Sequence, residues 1–84
     1  ILGESLPADT ETELQTAITG HEGVAHVDDF RTMFIGTGRV LVTADVSFTS
    51  GLETADIEAE IRDIESKLEG LDNRVKLVYI EPRD

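Results

Sequence analysis

The sequence contains no cysteine, and lysine occurs at only two of its 84 positions. Without cysteine the chain can form no disulfide, no thiolate zinc site and no cysteine nucleophile. Its uninterrupted apolar runs are only a few residues long, whereas a membrane-spanning helix needs about 20 apolar residues, and no signal peptide is visible. We therefore expect no direct membrane insertion by this chain.

Positive charge is scarce, with seven basic residues against eighteen acidic ones and a formal net charge of −11. Such a field repels phosphate backbones and anionic lipid headgroups and attracts cations, so we expect no nucleic-acid partner. The acids are spread along the chain, a composition typical of proteins from salt-loving organisms. At molar salt the Debye length falls to about 3 Å, and the self-repulsion of such a chain is tolerated.

Motifs of catalysis are absent from the sequence. There is no nucleophile elbow with a Ser-His-Asp arrangement, no P-loop and no HExxH helix. The glycines of Gly36-Thr37-Gly38 fall in a predicted hairpin, not at a strand-to-helix junction where a phosphate could be bound. The sequence therefore predicts that this protein is not an enzyme.

Two helices are predicted. The first starts near Pro7, with a candidate capping box at Thr10–Glu13, and ends at Gly20. The second starts at a candidate box over Ser50–Glu53 and runs to about Gly70. Its apolar residues recur at the helical spacing of three and four: Ile57, Ile61, Ile64, Leu68 and Leu71.

Three strands are predicted. Residues 24–35 are rich in β-branched and aromatic types, and a break in their alternation predicts a bulge at Asp28-Asp29. The second strand, residues 40–48, alternates most clearly, and the third covers Val75–Glu81. The set expected to face the core from the second strand is Val40, Val42, Ala44, Val46 and Phe48.

The order α-β-β-α-β predicts an α+β fold, a single domain over residues 1–84, in which two helices cover one face of a three-stranded sheet. This is a ferredoxin-like open-faced sandwich. The connection over residues 49–75 is expected to cross over and bring the third strand beside the first. The other sheet face has no cover and carries Leu41, Leu77 and Tyr79 among acids, which predicts a docking surface.

Several short motifs fall in a characteristic order along the chain: Gly23-Val24, then Asp28-Asp29-Phe30-Arg31, the Gly36-x-Gly38-Arg39 turn and the closing Ile80-Glu81-Pro82. Together they resemble the cytoplasmic C-terminal domain of cation diffusion facilitator transporters over roughly residues 2–82. In that family the domain lies on the cytoplasmic side of a six-helix membrane part, forms a V-shaped dimer with a second copy of itself and binds regulatory metal.

The resemblance also implies a set of metal ligands. The family positions correspond here to Asp28, Asp45, Glu58, Tyr79 and Glu81, so four family histidines are replaced, three of them by carboxylates. The implied cofactor is a divalent cation such as zinc, manganese, iron or magnesium, and oxygen donors shift the expectation toward harder ions such as manganese, magnesium or calcium. His26 could supply one further ligand, a ring nitrogen.

Each of these residues also has a simpler interpretation. Exposed acids in so acidic a chain are usually only solvated, and a tyrosine such as Tyr79 is more often an interface aromatic than a ligand. His26 is then a surface strand residue. His21 follows the helix-ending Gly20 and is expected to cap the helix or to lie in solvent.

The resemblance implies a dimerisation and metal-sensing domain of a divalent cation efflux transporter. The implied partners are a second copy of the chain and a covalently attached membrane domain, with the protein on the cytoplasmic side of the cell membrane. The chain starts at Ile1 without an initiator methionine, which favours a piece of a longer protein. The alternative is a stand-alone ferredoxin-like ligand-binding or assembly module with no role in transport.

Overall fold

The computed structural model describes residues 2–83, which form two helices and three strands. In chain order these are α1 (Ala8–Thr19), β1 (Val24–Gly36), β2 (Arg39–Phe48), α2 (Thr54–Leu71) and β3 (Val75–Arg83). The predicted order and the ferredoxin-like sandwich are confirmed. Over residues 2–83, neither helix has the length and hydrophobicity that crossing a bilayer requires.

Both helices start elsewhere than at the predicted capping boxes. α1 begins directly after Pro7, so Thr10 already lies within its first turn, and the predicted box at that position is wrong. Near α2 the chain takes a left-handed turn at Gly51, where φ is +91°, and the helix begins only after Glu53. The capping box forms three residues later than predicted: Glu53 takes the N-cap position expected for Ser50, and the Asp56 carboxylate accepts the Glu53 N–H at 3.0 Å.

The core lies between one face of the sheet and the two helices. β2 alternates as predicted, and its inward side chains are almost completely buried against apolar side chains of α1 and α2. The fully buried large side chains are Leu14, Ile18, Val40, Val42, Val46, Ile64 and Leu68. Phe48, at the end of the predicted inward set, is only partly buried. Because both helices take the same face, the opposite face of the sheet stays open.

The strand order differs from the predicted one. β2 is the central strand, with β1 antiparallel on one side and β3 parallel on the other, so the expectation that the third strand lies beside the first is wrong. The N-terminal segment already pairs with the outer edge of β1: Gly3 N–H donates to the Phe34 carbonyl at 3.0 Å, and Phe34 N–H donates to the Glu4 carbonyl at 2.8 Å. β3 joins the remaining edge of β2.

The predicted bulge in β1 is confirmed. The pairing with β2 shifts between Asp28 and Arg31, and Asp29 has a left-handed φ of +49°. Aspartate is one of the few residues other than glycine that adopts this region at low cost. The extra residue lets Phe30 pack against the core while Asp28 pairs with Asp45 of β2, whose alternation turns it to the open face.

Thr32 is the buried polar residue of the described chain, with 4% of its surface exposed. Its hydroxyl oxygen accepts the Leu6 N–H at 2.9 Å, and its hydroxyl donates to the Glu11 carboxylate. One side chain of β1 therefore joins the N-terminal segment and α1 to the sheet.

The junction between α2 and β3 is closed by an ion pair between Asp72 and Arg74. The Asp72 carboxylate accepts the Arg74 backbone N–H at 2.9 Å, its Nε–H at 3.0 Å and its terminal guanidinium N–H at 2.6 Å. These hydrogen bonds, chiefly the side-chain one, hold the pKa of Asp72 below its ordinary value of 3.8, against the opposing effect of burial.

Asp72→Asn is expected to lower the free energy of unfolding at pH 7 by about 1 kcal/mol, the upper end for a partly exposed ion pair. Because the folded pKa is lowered, the contribution of the carboxylate is present above the unfolded pKa near 4 and is lost as pH falls through the folded value. Urea unfolding at pH 7 and pH 2.5 measures both. A gap between parent and variant that is equally large at pH 2.5 would contradict this assignment.

Candidate functional site

The open face of the sheet is organised in rows that run across the three strands. Asp28 of β1 pairs with Asp45 of β2, which in turn pairs with Glu81 of β3. Their side chains form what we call the acid row. The next row consists of Arg31, Thr43 and Tyr79, and the one after it, the apolar row, of Met33, Leu41 and Leu77. The open face therefore changes from acidic to apolar within three rows.

Two carboxylates of the acid row already share an internal cation. The Arg83 guanidinium lies 3.2 Å from Asp45 Oδ2 and 2.9 Å from Glu81 Oε1. The hydrogen bond to Asp45, together with the negative charges of Asp45 and Glu81, raises the pKa of Arg83. The third carboxylate, Asp28, has His26 Nε2 at 3.1 Å from its Oδ1. The repulsion between Asp45 and Glu81 is thus relieved by an arginine of the same chain.

The structure brings together most of the predicted ligands, but not all of them. Asp28, Asp45 and Glu81 share the acid row with His26 beside it, while Tyr79, 63% exposed, stands one row away. Glu58 is exposed on α2, which packs on the other face of the sheet, so it lies apart from this group.

The donor chemistry of the acid row fits a hard divalent cation, since carboxylate oxygens are the ligands such ions prefer. Within one chain, however, the ligand atoms of the acid row are too far apart to coordinate a single ion. Over residues 2–83, no three groups of this face bring ligand atoms within 4.8 Å of one another. Binding a cation here would require the carboxylates to move together and to give up Arg83, or a second chain to supply further oxygens.

A second cluster of ligand-type side chains lies on the helix side of the sheet. His21, in the turn between α1 and β1, approaches Glu60 and Asp63 of α2, and one ligand atom of each lies within 4.8 Å of the other two. His21 Nδ1 is 3.5 Å from Glu60 Oε1 and 2.9 Å from the Glu22 carbonyl oxygen. The expectation that His21 caps a helix or lies in solvent missed this contact.

Only part of that cluster has a signal in the sequence. Glu60 and Asp63 are three residues apart on a predicted helix, which places them side by side on one face. Thirty-nine positions separate His21 from Glu60 (60 less 21), and nothing local to His21 indicates which part of the chain it meets.

The fold has close counterparts among solved structures, although no known protein family and no curated protein matched the sequence. A nickel form of a MamM CTD variant superposes with a TM-score of 0.80 at 10% identity, over 92% of this chain and 96% of that one. A cadmium form (TM-score 0.79, 10% identity) covers 90% and 94%. A copper form (0.78, 11%) covers 89% and 92%. At this identity the likeness is one of fold.

Proposed function

We propose that this chain is the cytoplasmic dimerisation and metal-sensing regulatory domain of a divalent cation efflux transporter of the cation diffusion facilitator family. The observation that carries the proposal is the acid row on the open face. Support comes from a fold that matches the MamM CTD, a domain of such a transporter, over nearly its whole length. In this proposal the chain is attached to a membrane part and lies on the cytoplasmic side of the membrane.

The acid row supplies the chemistry of sensing. Asp28, Asp45 and Glu81 offer carboxylate oxygens, and a bound divalent cation would neutralise their charge more fully than Arg83 does. Two copies of a domain with net charge −11 repel each other. Neutralising carboxylates at the contact between copies lowers that repulsion and favours a closer arrangement, which biases whatever is attached to the two domains.

The apolar row supplies the contact between two copies. Met33 and Leu77 are each 41% exposed, and Tyr79 beside them is 63% exposed. Contiguous exposed apolar side chains on a small domain mark an interaction surface. This row lies two rows from the acid row on the same face, so one interface can contain both.

The same apolar row also favours the second candidate, a stand-alone ligand-binding or assembly module with no transport role. Sedimentation equilibrium over a wide protein range, with and without Mn²⁺, separates the two. Cation-dependent dimerisation is the result expected for a sensor. Dimerisation that does not change with the cation at fixed ionic strength would favour the assembly module. A monomer under all conditions would contradict self-association in either role.

Arg83→Gln is expected to tighten Mn²⁺ binding at the acid row about fivefold, because it removes a competing positive charge that lies 3.2 Å from Asp45 Oδ2 and 2.9 Å from Glu81 Oε1. Isothermal titration calorimetry at high, fixed ionic strength measures the change while bulk screening is held constant. Lys76→Gln, also on β3, removes the same charge away from the acid row and should leave the affinity unchanged. Asp45→Asn should weaken binding.

Equal Mn²⁺ affinities for the parent, Arg83→Gln and Asp45→Asn would mean that the acid row holds no specific cation. A matching gain in Arg83→Gln and Lys76→Gln would assign the effect to net charge alone. Either result would contradict a metal-sensing role for this face.

A further inference from the structure

We propose that His21, Glu60 and Asp63 form a second cation site, selective for a borderline divalent ion such as Zn²⁺ or Co²⁺. The site lies on the helix side of the sheet, opposite the acid row, and is built by the turn between α1 and β1 together with one face of α2. The inference does not rest on the proposed function, because it uses none of the residues of the open face.

The separation of two donor atoms fits a small divalent ion. His21 Nδ1 and Glu60 Oε1 are 3.5 Å apart. Two ligands of a tetrahedral zinc ion, each at about 2.1 Å, are separated by roughly 3.4 Å. Asp63 lies one helical turn beyond Glu60 and brings a carboxylate oxygen within 4.8 Å of both.

Two of the three ligands are held in place before any ion arrives. The side chains of His21 and Glu60 are only 12% and 18% exposed. The turn that carries His21 is fixed by its own backbone, since His21 N–H donates to the Ile18 carbonyl at 3.0 Å and Val24 N–H donates to the His21 carbonyl at 3.1 Å. Ligands that are already ordered lose less entropy on binding.

Gly23 makes room for the glutamate. Its φ is +85°, and a Cβ atom at this position would lie 2.2 Å from Glu60 Oε1. The Glu60 carboxylate therefore occupies space that any other residue at position 23 would fill. The glycine and the glutamate together place the oxygen opposite the His21 ring.

The donor set selects the class of ion. One imidazole nitrogen with two carboxylate oxygens suits zinc and its neighbours, while magnesium and calcium prefer oxygen alone. The proton on Nδ1 now faces two acceptors, the Glu22 carbonyl and Glu60, and an ion ligated by Nδ1 would take that proton's place. Three protein ligands leave positions for water, and the ion would link the α1–β1 turn to α2.

The test is a titration of the whole chain with Zn²⁺, followed by the NMR signals of the histidine rings, and with Co²⁺, followed by its visible absorption. The chain has two histidines, so His26→Gln is the matched control for His21→Gln. We expect His21→Gln and Asp63→Asn to weaken Zn²⁺ binding at least tenfold and His26→Gln to leave it unchanged. Asp63 is exposed, so its variant should fold even if His21→Gln does not.

Glycine variants give an independent measurement. Gly23→Ala and Gly51→Ala both place alanine at a left-handed φ, +85° and +91°, but only the first would displace Glu60, since nothing lies within 4 Å of a Cβ at position 51. Both should lose similar stability from backbone strain. Only Gly23→Ala should weaken Zn²⁺ binding.

The proposal is overturned if Zn²⁺ shifts the His26 ring and not the His21 ring, or if His21→Gln and Asp63→Asn bind Zn²⁺ as the parent does. It is also overturned if His21 and Glu60 form only an ion pair, so that their variants lose the same stability with and without Zn²⁺. Asp45→Asn distinguishes this site from the acid row. It should weaken Mn²⁺ binding and leave the Zn²⁺-induced shift of the His21 ring signals unchanged.

Discussion

Replacing Leu68 with alanine is expected to lower the free energy of unfolding by about 3 kcal/mol. Leu68 is completely buried between α2 and the sheet. Its truncation removes apolar contacts and leaves a cavity in the closely packed core between α2 and the sheet. Small domains are stable by only about 5–15 kcal/mol, so the loss is a large fraction of the total.

Urea unfolding followed by circular dichroism measures this loss, and Leu71→Ala is its matched control. Leu71 belongs to the same helix and the same apolar stripe of the sequence, but it is 45% exposed. We expect its truncation to cost less than about 1 kcal/mol, because much of its surface is already in water. Equal losses at both positions would mean that α2 does not pack on the sheet through the face that carries Leu68.

Thr32→Val is expected to cost about 2 kcal/mol, although the two side chains have nearly the same shape. The hydroxyl of Thr32 accepts the Leu6 N–H and donates to the Glu11 carboxylate in the interior of the domain. Valine leaves that buried N–H without an acceptor, and the cost of an unpaired buried donor exceeds the gain from an extra methyl group. The N-terminal segment should also loosen from β1.

Two further variants isolate the hydroxyl of Thr32. Thr32→Ser keeps both hydrogen bonds and should retain most of the stability. Thr43→Val makes the same change on the open face of β2 and should alter stability by less than about 0.5 kcal/mol. Guanidinium or urea unfolding provides the free energies. A loss for Thr32→Ser as large as that for Thr32→Val would assign the effect to packing and contradict the role of the hydroxyl.

Periodicity located the core of this protein because the buried residues repeat at the intervals of their own elements. The inward side chains of β2 and the pair Ile64 and Leu68 of α2 were predicted from spacing alone. The bulge followed from one break in the alternation, at Asp28-Asp29. Strand order could not be obtained in this way. It depends on which edge of β1 is free, and Gly3 and Glu4 of the N-terminal segment decide that.

The ligand residues were predictable to a similar extent. Alternation turned Asp45 and Glu81 to the open face, and the register then placed Asp28 in line with them. Nothing in the spacing indicated that Arg83, two residues beyond Glu81, would reach across to Asp45, on another strand. His21 likewise meets α2 only through the packing of α1 and the turn that follows it. Contacts across the chain depend on the assembled layers.

The two candidate cation sites lie on opposite layers and differ in their donors. The acid row has oxygen donors and an internal arginine, whereas the cluster at His21 combines nitrogen and oxygen and has no basic partner other than the histidine among the ion pairs of residues 2–83. Hard ions are therefore expected at the first and borderline ions at the second. One small domain could respond separately to two classes of metal.

Arg83 gives the acid row a tethered counterion. A side chain held a few ångströms from Asp45 and Glu81 is present at a local concentration on the order of millimolar or more, whatever the composition of the surrounding solution. A mobile cation must outcompete that tethered charge before it can occupy the carboxylates. The arginine would thus set a threshold concentration. At low background levels of cation Arg83 stays paired with the carboxylates, and only a higher cation concentration displaces it.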